Sequence, residues 1–351
     1  MRWTFPELWE DRLWQAAPTV PQRALARAIQ ERTLRFTSER QRLHDPVPAS
    51  QRAADLAART VFYGVADAAK VAVPIAELSQ RGLLPAREPL RVLDAGAGCG
   101  ALTWGLAAAL PGRALTVDAV DLDAQALAIA AAVAAAAPEV TLRTYAADAA
   151  EAPAGPYDLV LAGTMLNELP AERRLPVALA LVERLDPAGA LILVEPALRE
   201  TSRALHELRD ALRAAGVHVF APCTRTAARC PALDDPSDWC HEDRPFAPPP
   251  RLAALIRATG LRAGGLKFAY LTLRRDPAPL HPRPGALRVV SDPLDQKGTR
   301  ERWVCGEAGR ERMRVLRRHP SPAFHDSRRG DVLLVEADGS FTLHKPTESP
   351  P

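Results

Sequence analysis

Between residues 90 and 275 the apolar positions alternate between short continuous runs and helical spacing. Residues 90–93 form one run, closed by Asp94, and Leu102, Leu106 and Leu110 then recur every four positions. Residues 114–120 form a second run, followed by Asp121 and Asp123. Runs at 140–145, 157–162 and 190–194 predict three more strands, and a helix over 200–214 leads to a run at 217–220. Residues 266–273 read as the antiparallel partner of that last strand. Strands alternating with helices in this way predict an α/β, Rossmann-like domain over 89–275. Before it, Trp3, Leu8, Trp9 and Leu13, then residues 24–36 and 53–78, recur at helical spacing. They predict a helical region over 1–88, with tryptophans in its core and a kink or break at Pro74. After it, runs at 286–291, 302–305, 314–316, 332–336 and 341–344 predict a small β-rich domain over 286–344, and the tail 345–351 reads as loose.

Ligands of such sheets lie beyond the carboxyl ends of the strands, and Asp94, Asp121, Asp148 and Asn167 all fall there. The first strand runs into Asp94-x-Gly96-x-Gly98-x-Gly100, where glycines let a ligand approach the backbone closely. Asp121 is placed to accept hydrogen bonds from ribose hydroxyls, and Asp148 to receive an adenine amino group. Gly96-x-Gly98-x-x-Ala101 also satisfies the loose dinucleotide pattern, so NAD competes with S-adenosylmethionine (SAM) on the glycines alone. An acid closing the first strand suits the amino group of a methionine moiety, and eighty-nine residues precede the unit. Both features favour SAM over NAD and over an empty structural turn.

The 351 residues suffice for one large domain or two. The net charge of +3 is uneven: residues 94–170 carry nine acids and two arginines, whereas 251–330 carry eighteen Lys and Arg against seven acids. That excess suggests a polyanion partner for the C-terminal part, with a merely solvated basic face as the plainer reading. The alanine-rich helix over 126–137 is too short to span a membrane, and charges interrupt the first fourteen residues as no secretion signal allows. A cytoplasmic protein is expected, its five cysteines serving as metal or redox groups rather than disulfides. Cys223, Cys230 and Cys240 lie in a proline-rich insertion over 221–250, and Cys305 follows sixty-five positions later. Six and nine intervening residues match no paired zinc knuckle, while iron–sulfur clusters tolerate irregular spacing and Cys230-Pro231 echoes the ferredoxin Cys-Pro step. Iron–sulfur, zinc and unliganded thiols all stay open on spacing. His241 is a spare ligand or a loop histidine, and Cys99 a packing residue.

Methylating a pyrimidine carbon needs a thiolate at the ends of the fourth or fifth strand, and no cysteine lies there. Methylating an exocyclic base amine commonly uses Asn-Pro-Pro-aromatic after the fourth strand, where this chain has Asn167-Glu168-Leu169.

LDAGAGCGALTW, DLVLAGTMLNEL, LILVEP, HVFAPCTRTAARCP with DWCH, KFAYLTLRR and the late RWVC resemble the methyltransferase-like assembly factors of the small ribosomal subunit, over roughly residues 50–310. The resemblance implies a class I SAM-methyltransferase domain, a 4Fe-4S cluster on Cys223, Cys230, Cys240 and Cys305, and binding to small-subunit ribosomal RNA. It departs at Ala197-Leu198, where that family tends to carry Gly-Thr, which bears on any activity relying on this loop. The leading expectation is an iron–sulfur, SAM-fold protein that binds ribosomal RNA and assists small-subunit assembly or translation. A catalytically active RNA methyltransferase and a small-molecule methyltransferase are the alternatives. The metal site is expected to clasp the two domains, since residues 276–285, with four prolines, would hold them only loosely.

Overall fold

The computed structural model describes residues 3–226, 228–261 and 265–346. The N-terminal region is helical apart from a two-residue strand, β1 (Trp3–Thr4). Its helices are α1 (Glu7–Ala16), α2 (Gln22–Phe36), α3 (Arg52–Ala58), α4 (Gly64–Ala68) and α5 (Ala72–Gln80). A π-helical turn, Arg59–Tyr63, joins α3 to α4. Trp9 stacks on Trp104 at 5.8 Å in the core. The break falls just ahead of Pro74, which sits in the first turn of α5, where its missing N–H has no helical partner to lose.

The central sheet is wound from β2 (Leu90–Ala95), α6 (Ala101–Ala109), β3 (Leu115–Asp121), α7 (Ala124–Ala135), β4 (Val140–Ala146), β5 (Tyr157–Gly163), α8 (Ala171–Glu183) and β6 (Leu185–Pro196). Its parallel part has the order β4-β3-β2-β5-β6. The central β2 and β5 are covered on both faces, which makes their sequences continuous apolar runs rather than alternating ones. Helix α9 (Arg199–Ala214) leads to β7 (His218–Ala221). The insertion supplies β8 (Glu242–Arg244) and β9 (Phe246–Ala247) before α10 (Pro250–Thr259) and β10 (Leu266–Arg274). β10 runs antiparallel between β6 and β7. The insertion is more regular than its prolines suggest, because β8 adds to β10 and β9 pairs with β1. Winding reverses between β2 and β5, opening a crevice at the carboxyl ends of the strands. Close packing of α6 against α4 needs Gly105: a Cβ there would lie 2.1 Å from the Ala68 carbonyl oxygen.

The C-terminal sheet holds β11 (Leu287–Val289), β12 (Leu294–Gln296), β13 (Thr299–Gly306), β14 (Gly309–Leu316), β15 (Val332–Val335) and β16 (Phe341–His344), with α11 (Pro322–Asp326) between β14 and β15. The β13–β14 hairpin is longer than its apolar runs, and β12 and α11 carry no such run at all. The loose tether expected over 276–285 is not what joins the two parts. Leu280, Ala286, Val332 and Leu334 are buried in the same core as β2 and β3. Arg288 donates to Glu77 at 2.8 Å, to Glu242 at 3.0 Å and to the Tyr270 hydroxyl at 3.1 Å, and the Tyr270 hydroxyl donates to Glu77 at 2.6 Å. The C-terminal sheet is therefore docked by an apolar seam and a buried charge network. Of the tail expected to be loose, residues 347–351 lie outside the described residues.

Candidate functional site: a cofactor cleft and a four-cysteine cavity

A cavity of about 1040 Å³ occupies the crevice, lined on the sheet side by Gly96, Gly98, Asp121, Asp148 and Asn167. Gly96 and Gly98 have φ of 68° and 53°, so the turn folds under the cavity in a conformation that only glycine adopts without strain. Asp121 fixes the turn by accepting from Gly98 N at 2.8 Å, and it also accepts from Asp123 N at 2.8 Å. Asp148 caps the next turn through Ala150 N at 2.9 Å and pairs with Arg173 at 3.1 Å. The Ala150 N–H, then Arg173, hold its carboxyl below the usual range.

Two of the cofactor residues read from the sequence stand behind the cavity rather than on its wall. Asp94 is buried, and its Oδ2 accepts from Thr103 Oγ1 at 2.7 Å and Thr103 N at 3.2 Å, tying the strand end to α6. Burial raises its pKa to about 6 against the pull of those two bonds. Gly100, with φ 84°, precedes α6, and a Cβ there would lie 2.6 Å from Trp104 Nε1.

The opposite wall comes from the N-terminal helices, a contribution that sequence reasoning missed. Arg59, the first residue of the π-helical turn, lies over the glycine turn, its Nη2 3.1 Å from where a Gly98 Cβ would be. Its Nη1 pairs with Asp123 at 2.5 Å, as does Arg52. Arg40 reaches across to donate to Asn167 Oδ1 at 3.0 Å, and Asn167 Nδ2 donates to Thr164 O at 2.7 Å. Thr164 has φ 55°, a left-handed conformation rare outside glycine and concentrated at functional sites. Beneath this loop Glu195 Oε1 accepts from Leu166 N at 3.0 Å. Burial drives its pKa to about 8, against the pull of the N–H groups in the loop above it, which favours the neutral acid at pH 7. Glu168 projects into the cleft, with its pKa raised by burial. No local motif marks Arg40 or Arg59: Arg59 falls within an ordinary helical pattern, and Arg40 lies in a short 3-10 turn between the helical stretches. Glu195 did carry a signal, an acid at the carboxyl end of a strand.

A second, narrow cavity of about 40 Å³ lies between the insertion and the C-terminal sheet. Cys223, Cys230, Cys240 and Cys305 all line it, and none is in a disulfide. Burial, then repulsion from neighbouring thiols, pushes Cys240 up to about 11 and Cys305 up to about 12, and Cys230 moves the same way. The guanidinium groups of Arg209 and Arg310 face the same cavity. His241 lines it too and stacks on Trp239 at 5.8 Å. Among the described residues no three His, Cys, Asp or Glu side chains are arranged to hold a single metal ion. Thr224 Oγ1 donates to Cys305 O at 2.8 Å, and Thr226 N to Glu307 Oε1 at 2.9 Å, fastening the insertion to the β13–β14 hairpin.

A parallel sheet with reversed winding, an antiparallel strand slotted next to its last member, a glycine turn after the first strand and an acid after the second together define the class I SAM-dependent methyltransferase fold. The chain belongs to the methyltransferase-like family described as mitochondrial small ribosomal subunit Rsm22, which matches residues 55–332. Among solved structures, it is similar to the magnesium protoporphyrin IX methyltransferase of Synechocystis PCC 6803 with bound SAM. That match has 17% identity, covers 74% of this chain and 99% of the other, and has a TM-score of 0.39. It is also similar to the plantazolicin methyltransferase BpumL in complex with SAH, at 14% identity over 72% and 99% of the two chains with a TM-score of 0.42. A ribosomal protein L11 methylase from Lactobacillus delbrueckii subsp. bulgaricus matches at 19% identity over 59% and 78%, with a TM-score of 0.36. No curated protein matches the chain.

Proposed function

We propose that the chain binds SAM in the large cleft, holds a 4Fe-4S cluster on Cys223, Cys230, Cys240 and Cys305, and binds small-subunit ribosomal RNA to assist assembly or translation in the cytoplasm. The observation that carries this reading is the meeting of those four cysteines, from an insertion and a distant sheet, at one cavity in a chain of a small-subunit family. The donor set fits a cluster, being four thiols with arginine charge beside them to balance the thiolates. Zinc is the alternative occupant, and it would need the thiols drawn in to about 2.3 Å from one ion. A bound cluster would supply a metal cross-link whose state responds to oxidants. In the cleft Asp121 would accept from the ribose hydroxyls and Asp148 from the adenine amine, while the glycine turn lets the methionine moiety lie against the backbone.

A working RNA methyltransferase is the second reading, favoured by the carboxyl of Glu168 and the amide of Asn167 facing the cleft. Among the described residues of the cleft the cysteine is Cys99, a buried thiol whose pKa is raised by burial, which suits packing rather than nucleophilic attack. A small-molecule methyltransferase is the third reading.

Anaerobic purification with iron and sulfide assay, calorimetry with SAM and S-adenosylhomocysteine (SAH), and crosslinking to RNA in cells test the three parts separately. Brown, iron- and sulfide-bearing protein that binds SAH and crosslinks to small-subunit RNA is expected. Zinc-loaded colourless protein would overturn the cluster, and crosslinks confined to other RNAs would overturn the ribosomal role.

A further inference from the structure

The three-cysteine segment carries few regular elements, yet it is not left to itself. Helix α9 buries Leu205, Leu208 and Leu212 against the sheet. Arg203, His206, Arg209 and Asp210, at spacings that share one helix face, turn instead to the insertion. Arg203 Nη1 donates to the carbonyl oxygens of Ala232 at 3.0 Å, Asp235 at 2.7 Å and Asp238 at 2.8 Å. His206 Nε2 lies 2.9 Å from Cys240 O. Arg209, whose side chain is 0% exposed, donates from Nη1 to Ala228 O at 2.8 Å and from Nη2 to Arg225 O. Asp210 accepts from Cys230 N at 3.0 Å and pairs with Arg209. The helix thus grips backbone groups before, at and after Cys230, and the carbonyl of Cys240 itself.

The partners are backbone atoms, and that decides what the contacts do. Bonds to carbonyls fix the path of the loop without engaging its thiols, so making them asks nothing of the sulfur atoms. A guanidinium presents a rigid fork of donors, and burying its charge is tolerable only because loop carbonyls and Asp210 surround it. The same buried charge faces the cysteine cavity.

We propose that α9 is a metal-independent bed for the cysteine loop, with Arg203, His206, Arg209 and Asp210 as positioning residues that hold Cys223, Cys230 and Cys240 at the cavity before any metal group arrives. This rests on the reading of the four cysteines as one metal site. The bed and that reading fail in different measurements.

The test uses the full chain after chelation, then anaerobic reconstitution with ferrous iron and sulfide. In metal-free wild type the amides of residues 223–226 and 228–240 should exchange slowly, and in Arg209→Met about tenfold faster, as expected when a buried side chain bonded to several carbonyls is lost. On reconstitution Arg209→Met should reach less than about half the wild-type iron per chain with all four cysteines intact. Arg209→Lys keeps the charge without the fork and should resemble Arg209→Met in exchange. SAH affinity should stay unchanged in every variant and reports correct folding; if Arg209→Met loses it, Arg203→Met carries the test through residues 232–238. A loop that exchanges freely in metal-free wild type, or wild-type iron uptake by the variants, overturns the bed. A wild type that stays protected but takes up neither iron nor sulfide supports the bed and overturns the cluster.

Discussion

Asp121 and Glu195 are two acids at strand ends in opposite surroundings, one facing the cleft and one buried. Asp121 faces the cleft and receives two backbone N–H groups, so it stands ready to accept from a ribose. Asp121→Ala should weaken SAH binding by about 1.5–3 kcal/mol, the range for hydrogen bonds to a charged group, measurable by calorimetry. Glu195 is sealed under the Asn167 loop and is protonated at neutral pH. Its folded pKa of about 8 lies above the ordinary 4.5, so the folded state binds the extra proton between those values and stability falls as pH rises through that window. Glu195→Gln, which keeps an acceptor for Leu166 N, should remove that slope between pH 5 and 8 in urea titrations; an unchanged slope would place the titrating group elsewhere. The sequence showed the acids and glycines because strand ends advertise them. It could not show that Asp94 and Gly100 act behind the wall, nor that Arg59 lies over the turn, because both depend on packing between segments far apart in the chain.

Elements were legible where burial imposes a simple period. Four of the five parallel strands and the returning antiparallel strand follow from apolar runs covered on both faces, whereas the edge strand β4 is largely exposed. The β13–β14 hairpin was only half visible, because Arg310, Arg312 and Arg314 alternate with Glu311, Met313 and Val315, and charge hides the strand period. Arg312 and Arg314 both pair with Glu301 on the neighbouring strand, and Arg317 pairs with Asp295 at 3.0 Å. Much of the basic excess is thus answered within the sheet. If the face still meets RNA, charge reversal at Arg314, Arg317 and Arg318 should flatten the salt dependence of binding, through fewer released counterions. A slope unchanged in filter-binding assays would make it a solvated face. Between helices, Gly105→Ala should cost about 1–3 kcal/mol through overpacking of α6 on α4, read as a lower denaturation midpoint.

Across the whole molecule the two parts share a core, with an apolar seam and the Arg288 network between them. Arg288→Met should destabilise the protein by about 3–5 kcal/mol, since Glu77 would remain buried without its cation while Glu242 keeps Arg244 at 2.9 Å; chemical denaturation measures it. Cys305→Ser should abolish iron–sulfur absorbance yet leave residues 276–300 as resistant to protease as in wild type, because the apolar seam and Arg288 persist. The sequence could not disclose this docking: Glu77, Glu242, Tyr270 and Arg288 lie up to 211 positions apart, and no local period links them.

The antiparallel placement of β10 between β6 and β7 sets a timetable for the chain as it leaves the ribosome. Synthesis runs from the N-terminus, so β7 emerges with no neighbour, and its place in the sheet opens only when residues 266–274 have followed it out. Three of the four cysteines are already made by then, while Cys305 is still to come. For that interval a nascent chain carries an incomplete set of thiols beside a central sheet that can already close. The four cysteines can meet only after the chain has been made well past the last strand of the central sheet.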